Sequence, residues 1–413
     1  MTYNTHTLSC GLRLIHCPDN SGVVYCGIGL NAGARDEQKG EEGLAHFCEH
    51  GTFKGTERRR AWHILNRLES VGGDLNAFTN KSDTFYHATV SKQHAARAID
   101  LLVDIVFHSV YPATEIEREK EVICDEIESY NDSPAELIYD EIDNILFEHR
   151  PLGHNILGTV ERVRSFTSAD LRRFTGRLYR PERAVLFVLG NINFGQLVRQ
   201  VERLMAGMPA ATPVVERPLT QQPELTATAH RGETIVRNRQ THQAHVVIGA
   251  GGYNVFDNRR LPLFLLNNLL GGPGMNARFN MVLRERNALV YTVESTQSTW
   301  DDCGAWYTYF GCDHKDVDRC LRLIRREMDA MMATPLSPTR LAAAKRQLKG
   351  QIEVGNDVRH SRAIEFATDY LHLGIEKQTS RLFERIDGIT SEQLRNVACE
   401  VFAPDNLTTL IFH

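Results

Sequence analysis

The period of the apolar positions changes several times along the chain, and each change predicts an element. LRLIH (12–16) is a short apolar stretch, and VVYCGIGLNAG (23–33), rich in β-branched and small residues, predicts a strand that runs into a turn. After a charged turn, GLAHFCEHGTF (43–53) and AWHILNRLESVG (61–72) carry apolar residues at helical spacing. DLNAFTN (74–80) and TFYHATVS (84–91) read as consecutive strands joined by a short polar turn. Helices are predicted over roughly 93–108, 114–130 and 134–147, and a buried strand, RAVLFVLG (183–190), precedes a last helix. Paired neighbouring strands with clustered helices predict an α+β layer rather than a doubly wound parallel sheet.

The second half repeats this order. QAHVVIGAGGYN (243–254) predicts a strand entering a Gly-rich turn, and the apolar helical segment LPLFLLNNLLG (261–271) follows. A single shift sets Phe264 against His46, Asn267 against Glu49 and Asn268 against His50; a slightly larger one sets QIEVGND (351–357) against EIESYND (126–132). Between the halves, PAATPVVERPLTQQPELTATA (209–229) has prolines at 209, 213, 218 and 223 and no helical period. The expectation is two similar α+β domains, each a mostly antiparallel sheet packed with helices. They would span 1–210 and 230–413, with 211–229 as linker.

Composition narrows the class. The chain of 413 residues is 42% hydrophobic and 24% charged, ordinary values for a globular protein with chain enough for two cores. A net charge of -5 without a strongly basic run excludes a nucleic-acid binder. No stretch approaches the length of an apolar membrane span, and MTYNTHTLSC lacks the pattern of a secretory leader. Nine scattered cysteines with no C-x-x-C pair read as reduced thiols, so a cytoplasmic protein is expected.

HFCEH (46–50) is the chemically distinctive stretch. On a helix His46 and His50 are i and i+4, so their rings leave one face a turn apart and can grip one zinc ion. Glu49 lies beside that face, placed to take a proton from a water at the metal's open position. Cys48 is two residues from each histidine and points away, as a packing residue. The order H-x-x-E-H inverts the H-E-x-x-H zinc-peptidase motif and requires a third ligand from elsewhere. The helix in EIEREKEVICDEIESYND (115–132) offers Glu115, Glu117, Glu119, Glu121, Asp125, Glu126 and Glu128. Glu119 and Glu126, seven apart with Val122 and Ile123 between them, fall at the edge of an apolar stripe. Spacing alone does not choose further.

The stretches NAGARDEQKGEEGLAHFCEHGTFKGT (31–56), GGDLNAFTNKSDTFYHATV (72–90), EREKEVICDEIESYNDSPAE (117–136), PLGHNILGT (151–159) and NARFNMVLRERNALVYTVES (276–295) resemble, in order and over nearly the whole chain, the pitrilysin/insulinase family of zinc metallopeptidases. In length the chain is similar to the family's smaller members. The resemblance implies one zinc ion per chain, bound by His46, His50 and Glu126, with Glu49 as general base and Glu119 orienting a ligand. It implies that substrate adds as a strand along Asn76, Ala77, Phe78 and Thr79, a mode in which backbone pairing supplies affinity. Arg284 and Tyr291 of the second domain would hold the substrate backbone and steady the oxyanion. Phe264, Asn267, Asn268 and Gln351 stand where the first half has its site residues, so the second domain would keep the fold without the chemistry. Longer members enclose substrate between two double-domain halves, so this chain is expected to form a homodimer or to pair with a related chain. The expected function is a zinc-dependent endopeptidase acting on oligopeptides or unfolded segments. The rival is a non-catalytic structural or partner subunit.

Overall fold

The computed structural model describes residues 2–212 and 225–413. It is an α+β protein of two compact units, each built on one sheet with helices on both faces. The first unit comprises residues 1–128, 154–215 and 355–378; the second comprises 129–153, 216–354 and 379–413.

The first sheet contains β1 (Asn4–Thr7), β2 (Arg13–Pro18), β3 (Val23–Leu30), β4 (Asp74–Thr79), β5 (Thr84–Ser91) and β6 (Ala184–Gly190), in the spatial order β1-β2-β6-β3-β5-β4. All neighbours are antiparallel except β2 and β6. The apolar run AVLFVLG becomes β6, an inner strand buried throughout, because a strand covered on both faces has no polar side to show. At the other extreme β4 is an edge, paired only with β5 among the described residues.

Eight helices of the first half follow in chain order: α1 (Leu44–Thr52), α2 (Ala61–Glu69), α3 (Ala95–Phe107), α4 (Ala113–Asn131), α5 (Pro134–Leu146), α6 (Val160–Ser165), α7 (Ser168–Leu178) and α8 (Phe194–Leu204). One face of the sheet packs Leu14, Ile28, Tyr86 and Leu186 against Phe47 of α1, Leu102 of α3, Ile123 of α4 and Phe174 of α7.

The second sheet, β7 (Thr234–Arg237), β8 (Ala244–Gly251), β9 (Val290–Thr299), β10 (Gly304–Cys312) and β11 (Thr408–Phe412), has the order β7-β11-β8-β10-β9. Its one parallel pair is β7 with β11. This is the order and sense of β2-β6-β3-β5-β4, so the weak sequence repeat corresponds to a full repeat of topology. The helices that complete the chain are α9 (Arg260–Gly271), α10 (Val317–Ala333), α11 (Pro338–Gly355), α12 (Arg359–Leu373), α13 (Thr379–Asp387) and α14 (Ser391–Val401). As α1 follows β3, α9 follows β8.

The packing units are not the two contiguous halves expected from the sequence. Leu137, Ile138, Ile142 and Leu146 of α5 cover Val247, Tyr307 and Leu410 of the second sheet. Ala363, Phe366, Ala367 and Leu371 of α12 cover Ile15, Phe85, Val185 and Phe187 of the first. Each sheet has a second apolar face that must be buried, and the helix that buries it comes from the other half of the chain. Of the expected linker, residues 213–224 lie outside the described residues. Among the described residues no helix is long and apolar enough to cross a membrane.

Candidate metal centre

Helix α1 carries HFCEH, and its entry is unusual. The residue before it, Gly43, has φ of 95° and no side chain to cap the first turn. A Cβ there would stand 2.7 Å from the Leu157 carbonyl oxygen and 2.9 Å from Gly158 Cα, so both the backbone angle and the close approach call for glycine. The cap comes from Glu37, whose carboxylate accepts from the Ala45 N–H at 2.7 Å and the Gly43 N–H at 3.1 Å. An acid at a helix N-terminus satisfies orphan amides and meets the positive end of the helix dipole. The Glu37 side chain is buried and also pairs with His154 Nε2 at 2.8 Å, and Lys81 donates to the His154 carbonyl. Burial pushes the Glu37 carboxyl above its usual range, opposed by these hydrogen bonds.

On this helix His46 is almost fully buried and His50 partly so, with ring centroids 4.6 Å apart. Cys48 is wholly buried, its thiol turned toward the Leu171 carbonyl. Glu126 of α4 reaches the two imidazoles: Oε1 lies 3.7 Å from His46 Nε2 and Oε2 lies 3.5 Å from His50 Nε2. Both separations are long for hydrogen bonds. They match ligand atoms around one zinc, since bonds of about 2.0–2.2 Å at tetrahedral angles put such atoms roughly 3.4 Å apart. Among the described residues, His46, His50 and Glu126 form the one group of three or more such side chains close enough to share an ion. The other acids of α4 are not part of it, so Glu126 is the α4 carboxylate that faces both Nε2 atoms.

Their surroundings act on the two imidazoles in opposite directions. Burial, and next the His50 charge, hold the His46 pKa down to about 3, so its lone pair is free at neutral pH. Its Nδ1 has no hydrogen-bond partner among the described residues. His50 Nδ1 lies 2.9 Å from Glu119 Oε1, which holds a proton on Nδ1 and leaves Nε2 as the nitrogen that faces Glu126. Burial lowers the His50 pKa, but the bond to Glu119 and the charges of Glu49, Glu126 and Glu119 outweigh it and raise the value. Glu119 in turn is paired with Lys54; despite burial, its bonds to His50 and Lys54 keep its pKa low.

Glu49 is 8% exposed. Burial raises its pKa; the Thr79 hydroxyl, which donates to Oε2 at 2.5 Å, and the His50 charge oppose the rise, while the Glu126 charge adds to it. A carboxylate that is buried, singly hydrogen-bonded and lifted in pKa suits proton transfer. Thr79 ends the edge strand β4, which also carries Asn76, Ala77 and Phe78. At that edge the Ala77 N–H is satisfied by the Asn76 side-chain oxygen at 2.8 Å rather than by another strand.

In the second unit Arg284 lies in the π-helical turn Asn280–Glu285, and Tyr291 is the second residue of β9. Tyr291 is 82% exposed, and the Arg284 guanidinium lies 5.4 Å from its ring centre, so the two residues act as one surface feature. Asn267 ties α9 to the sheet instead, donating to the Ser295 carbonyl at 3.1 Å and accepting from Trp306 Nε1 at 2.9 Å. Phe264 is part exposed, and Asn268 is buried.

Sequence reasoning did not single out Glu37, His154 or Lys54. A glycine at the N-cap position was the available signal for Glu37, because a helix without its own cap must borrow one. One expectation fails: Val122, assigned to the apolar stripe with Ile123, is 51% exposed while Ile123 is fully buried. Adjacent helical residues lie about 100° apart, and Val122 falls on the outer flank.

Two histidines and a glutamate on one helix, with a carboxylate from a second, have the layout of inverted H-x-x-E-H metallopeptidases. The comparisons with known proteins agree. The family described as Insulinase (Peptidase family M16) matches residues 16–160, and Peptidase M16 inactive domain matches residues 165–348. The chain is 30% identical to the uncharacterised zinc protease YmxG of Bacillus subtilis, over 98% of this chain and 97% of that one. It is 31% identical to the uncharacterised zinc protease SCO5738 of Streptomyces coelicolor, over 97% and 87% respectively. The crystal structure of a protease from Helicobacter pylori shares the fold with a TM-score of 0.89 at 20% identity, covering 100% of this chain and 99% of that one. The chain belongs to the M16 family of peptidases.

Proposed function

We propose that the protein is a zinc-dependent endopeptidase that hydrolyses oligopeptides or unfolded segments. The observation that carries this reading is the convergence of His46, His50 and Glu126 at ligand separations beside a buried Glu49. A zinc ion held by His46, His50 and Glu126 would supply Lewis-acid polarisation and acidify a water toward a pKa of about 7. Glu49 takes a proton from the attacking water and returns it to the leaving amine, so the carboxylate ends each cycle as it began. Glu119, braced by Lys54, keeps His50 in the tautomer that offers Nε2. At the β4 edge an extended peptide replaces Asn76 as partner of the Ala77 N–H, which aligns the chain through its backbone with little demand on side chains. Arg284 and Tyr291 are assigned to the substrate backbone and the developing oxyanion.

Pairing of two chains, either two copies or this chain with a relative, belongs to the same proposal. Sedimentation equilibrium tests it, and a purely monomeric protein that is fully active removes it. The non-catalytic alternative is disfavoured because His46, Glu49, His50, Glu119 and Glu126, the residues this reading needs, are all present. The metal assignment is tested by zinc stoichiometry after dialysis. The wild type and Asp125→Asn are expected to hold one ion per chain, and Glu126→Gln to lose it. Equal zinc in all three would refute Glu126 as a ligand.

A further inference from the structure

Resting on the peptidase reading, we propose that Thr79 is a positioning residue whose hydroxyl sets the orientation of Glu49 and ties it to the strand that receives substrate. Among the described residues the Thr79 hydroxyl is the hydrogen-bond donor to Glu49, at 2.5 Å from Oε2, within the range of a charge-assisted O–H···O⁻ bond. Among the described residues its one rival as acceptor is the Thr84 oxygen, 3.5 Å away across the β4–β5 ladder. Thr84 commits its own proton to the Ala32 carbonyl at 2.9 Å and so offers none to Thr79. The single Thr79 proton therefore goes to the carboxylate. One Glu49 oxygen is engaged, and the other keeps its lone pairs for the proton of the attacking water.

A glutamate has three rotatable bonds, and an unpinned carboxylate divides its population among rotamers. Glu49 leaves a rigid helix, but its carboxylate is held from a sheet edge. Thr79 is the last residue of that edge strand, two positions after Ala77 and therefore about 7 Å along the same face. A peptide that pairs at Ala77 and displaces the Asn76 side chain braces the strand that fixes the base. Occupancy of the edge and readiness of Glu49 are thus mechanically linked, with the hydroxyl as the link.

The test compares Thr79→Val, which keeps the shape and removes the hydroxyl, with Thr79→Ser, which keeps the hydroxyl. For the valine variant, kcat is expected to fall on the order of 10- to 100-fold with KM within about twofold of wild type. Serine is expected to recover most of that loss, and both variants to retain zinc. A readout independent of turnover is the crystal structure of each metal-free protein. Glu49 is expected to adopt one carboxylate position in wild type and Thr79→Ser and to spread over several in Thr79→Val. Wild-type kcat in the valine variant, or equal losses in both variants carried by KM, would overturn the proposal. So would an unmoved, single Glu49 position in Thr79→Val. If the wild type cleaves no peptide, the peptidase reading fails, and the crystallographic comparison still decides whether Thr79 holds Glu49.

Discussion

Replacing Glu37 by alanine tests how the helix that carries His46, Glu49 and His50 is held. The carboxylate is buried and caps α1 through two backbone amides, Ala45 at 2.7 Å and Gly43 at 3.1 Å, and it also holds His154. A lost cap costs about 0.5–2 kcal/mol, and each buried donor left without a partner costs about 1–3 kcal/mol. These contributions overlap, and removing a carboxylate whose pKa burial has raised gives back part of its desolvation cost. The net expectation is a loss of about 2–4 kcal/mol for Glu37→Ala, a large share of the roughly 5–15 kcal/mol that stabilises a domain. Glu37→Gln keeps one carbonyl acceptor but turns an N–H₂ toward the other donors, so a smaller loss of about 1–2 kcal/mol is expected. Urea unfolding of the metal-free variants, followed by far-UV circular dichroism, measures the difference. Hydrogen exchange over 43–52 is expected to rise in the alanine variant ahead of the rest of the chain. A stability change below about 0.5 kcal/mol, or unaltered exchange in α1, would refute the capping argument.

Other expectations follow from the same geometry. Glu119→Gln frees the His50 tautomer and is expected to weaken zinc binding by about 10- to 100-fold in competition with a chelating dye, with the fold unchanged by circular dichroism; unchanged affinity would remove its orienting role. His87 is buried with Nδ1 3.4 Å from His360 Nε2, and burial, followed by that neighbour's charge, holds its pKa down to about 4. The folded state then binds fewer protons than the unfolded chain between pH 6.5 and 4, so this contribution is complete above about pH 6.5 and is lost as pH falls toward 4, by about 3 kcal/mol. His87→Leu is expected to show a flatter loss of stability over that window than wild type, and parallel curves for the two proteins would contradict it.

Much of this was legible because the signals are local. The run AVLFVLG is short, contains β-branched residues and is apolar throughout, which suits a strand covered on both faces, and HFCEH on a helix turns two imidazoles the same way whatever surrounds it. Glu126 was legible only through family resemblance, because seven acids of α4 share one composition and nothing in their spacing says which faces α1. Which sheet an amphipathic helix covers is likewise a tertiary choice. α5 and α12 have apolar faces that suit either half, and each packs on the sheet built by the other half. The cap supplied by Glu37 and the hydroxyl supplied by Thr79 were hidden for a related reason: both depend on where a loop and an edge strand come to rest against α1.

The central claim is that Glu49 performs proton transfer beside a metal held by His46, His50 and Glu126. Its most direct test is cleavage of a quenched-fluorescent peptide library by the zinc-loaded wild type and Glu49→Gln, with zinc content measured in both. Cleavage by the wild type, a loss of at least about 100-fold in the variant, and equal zinc in both are expected. Equal cleavage by the two proteins, or zinc bound with no cleavage by either, would contradict it.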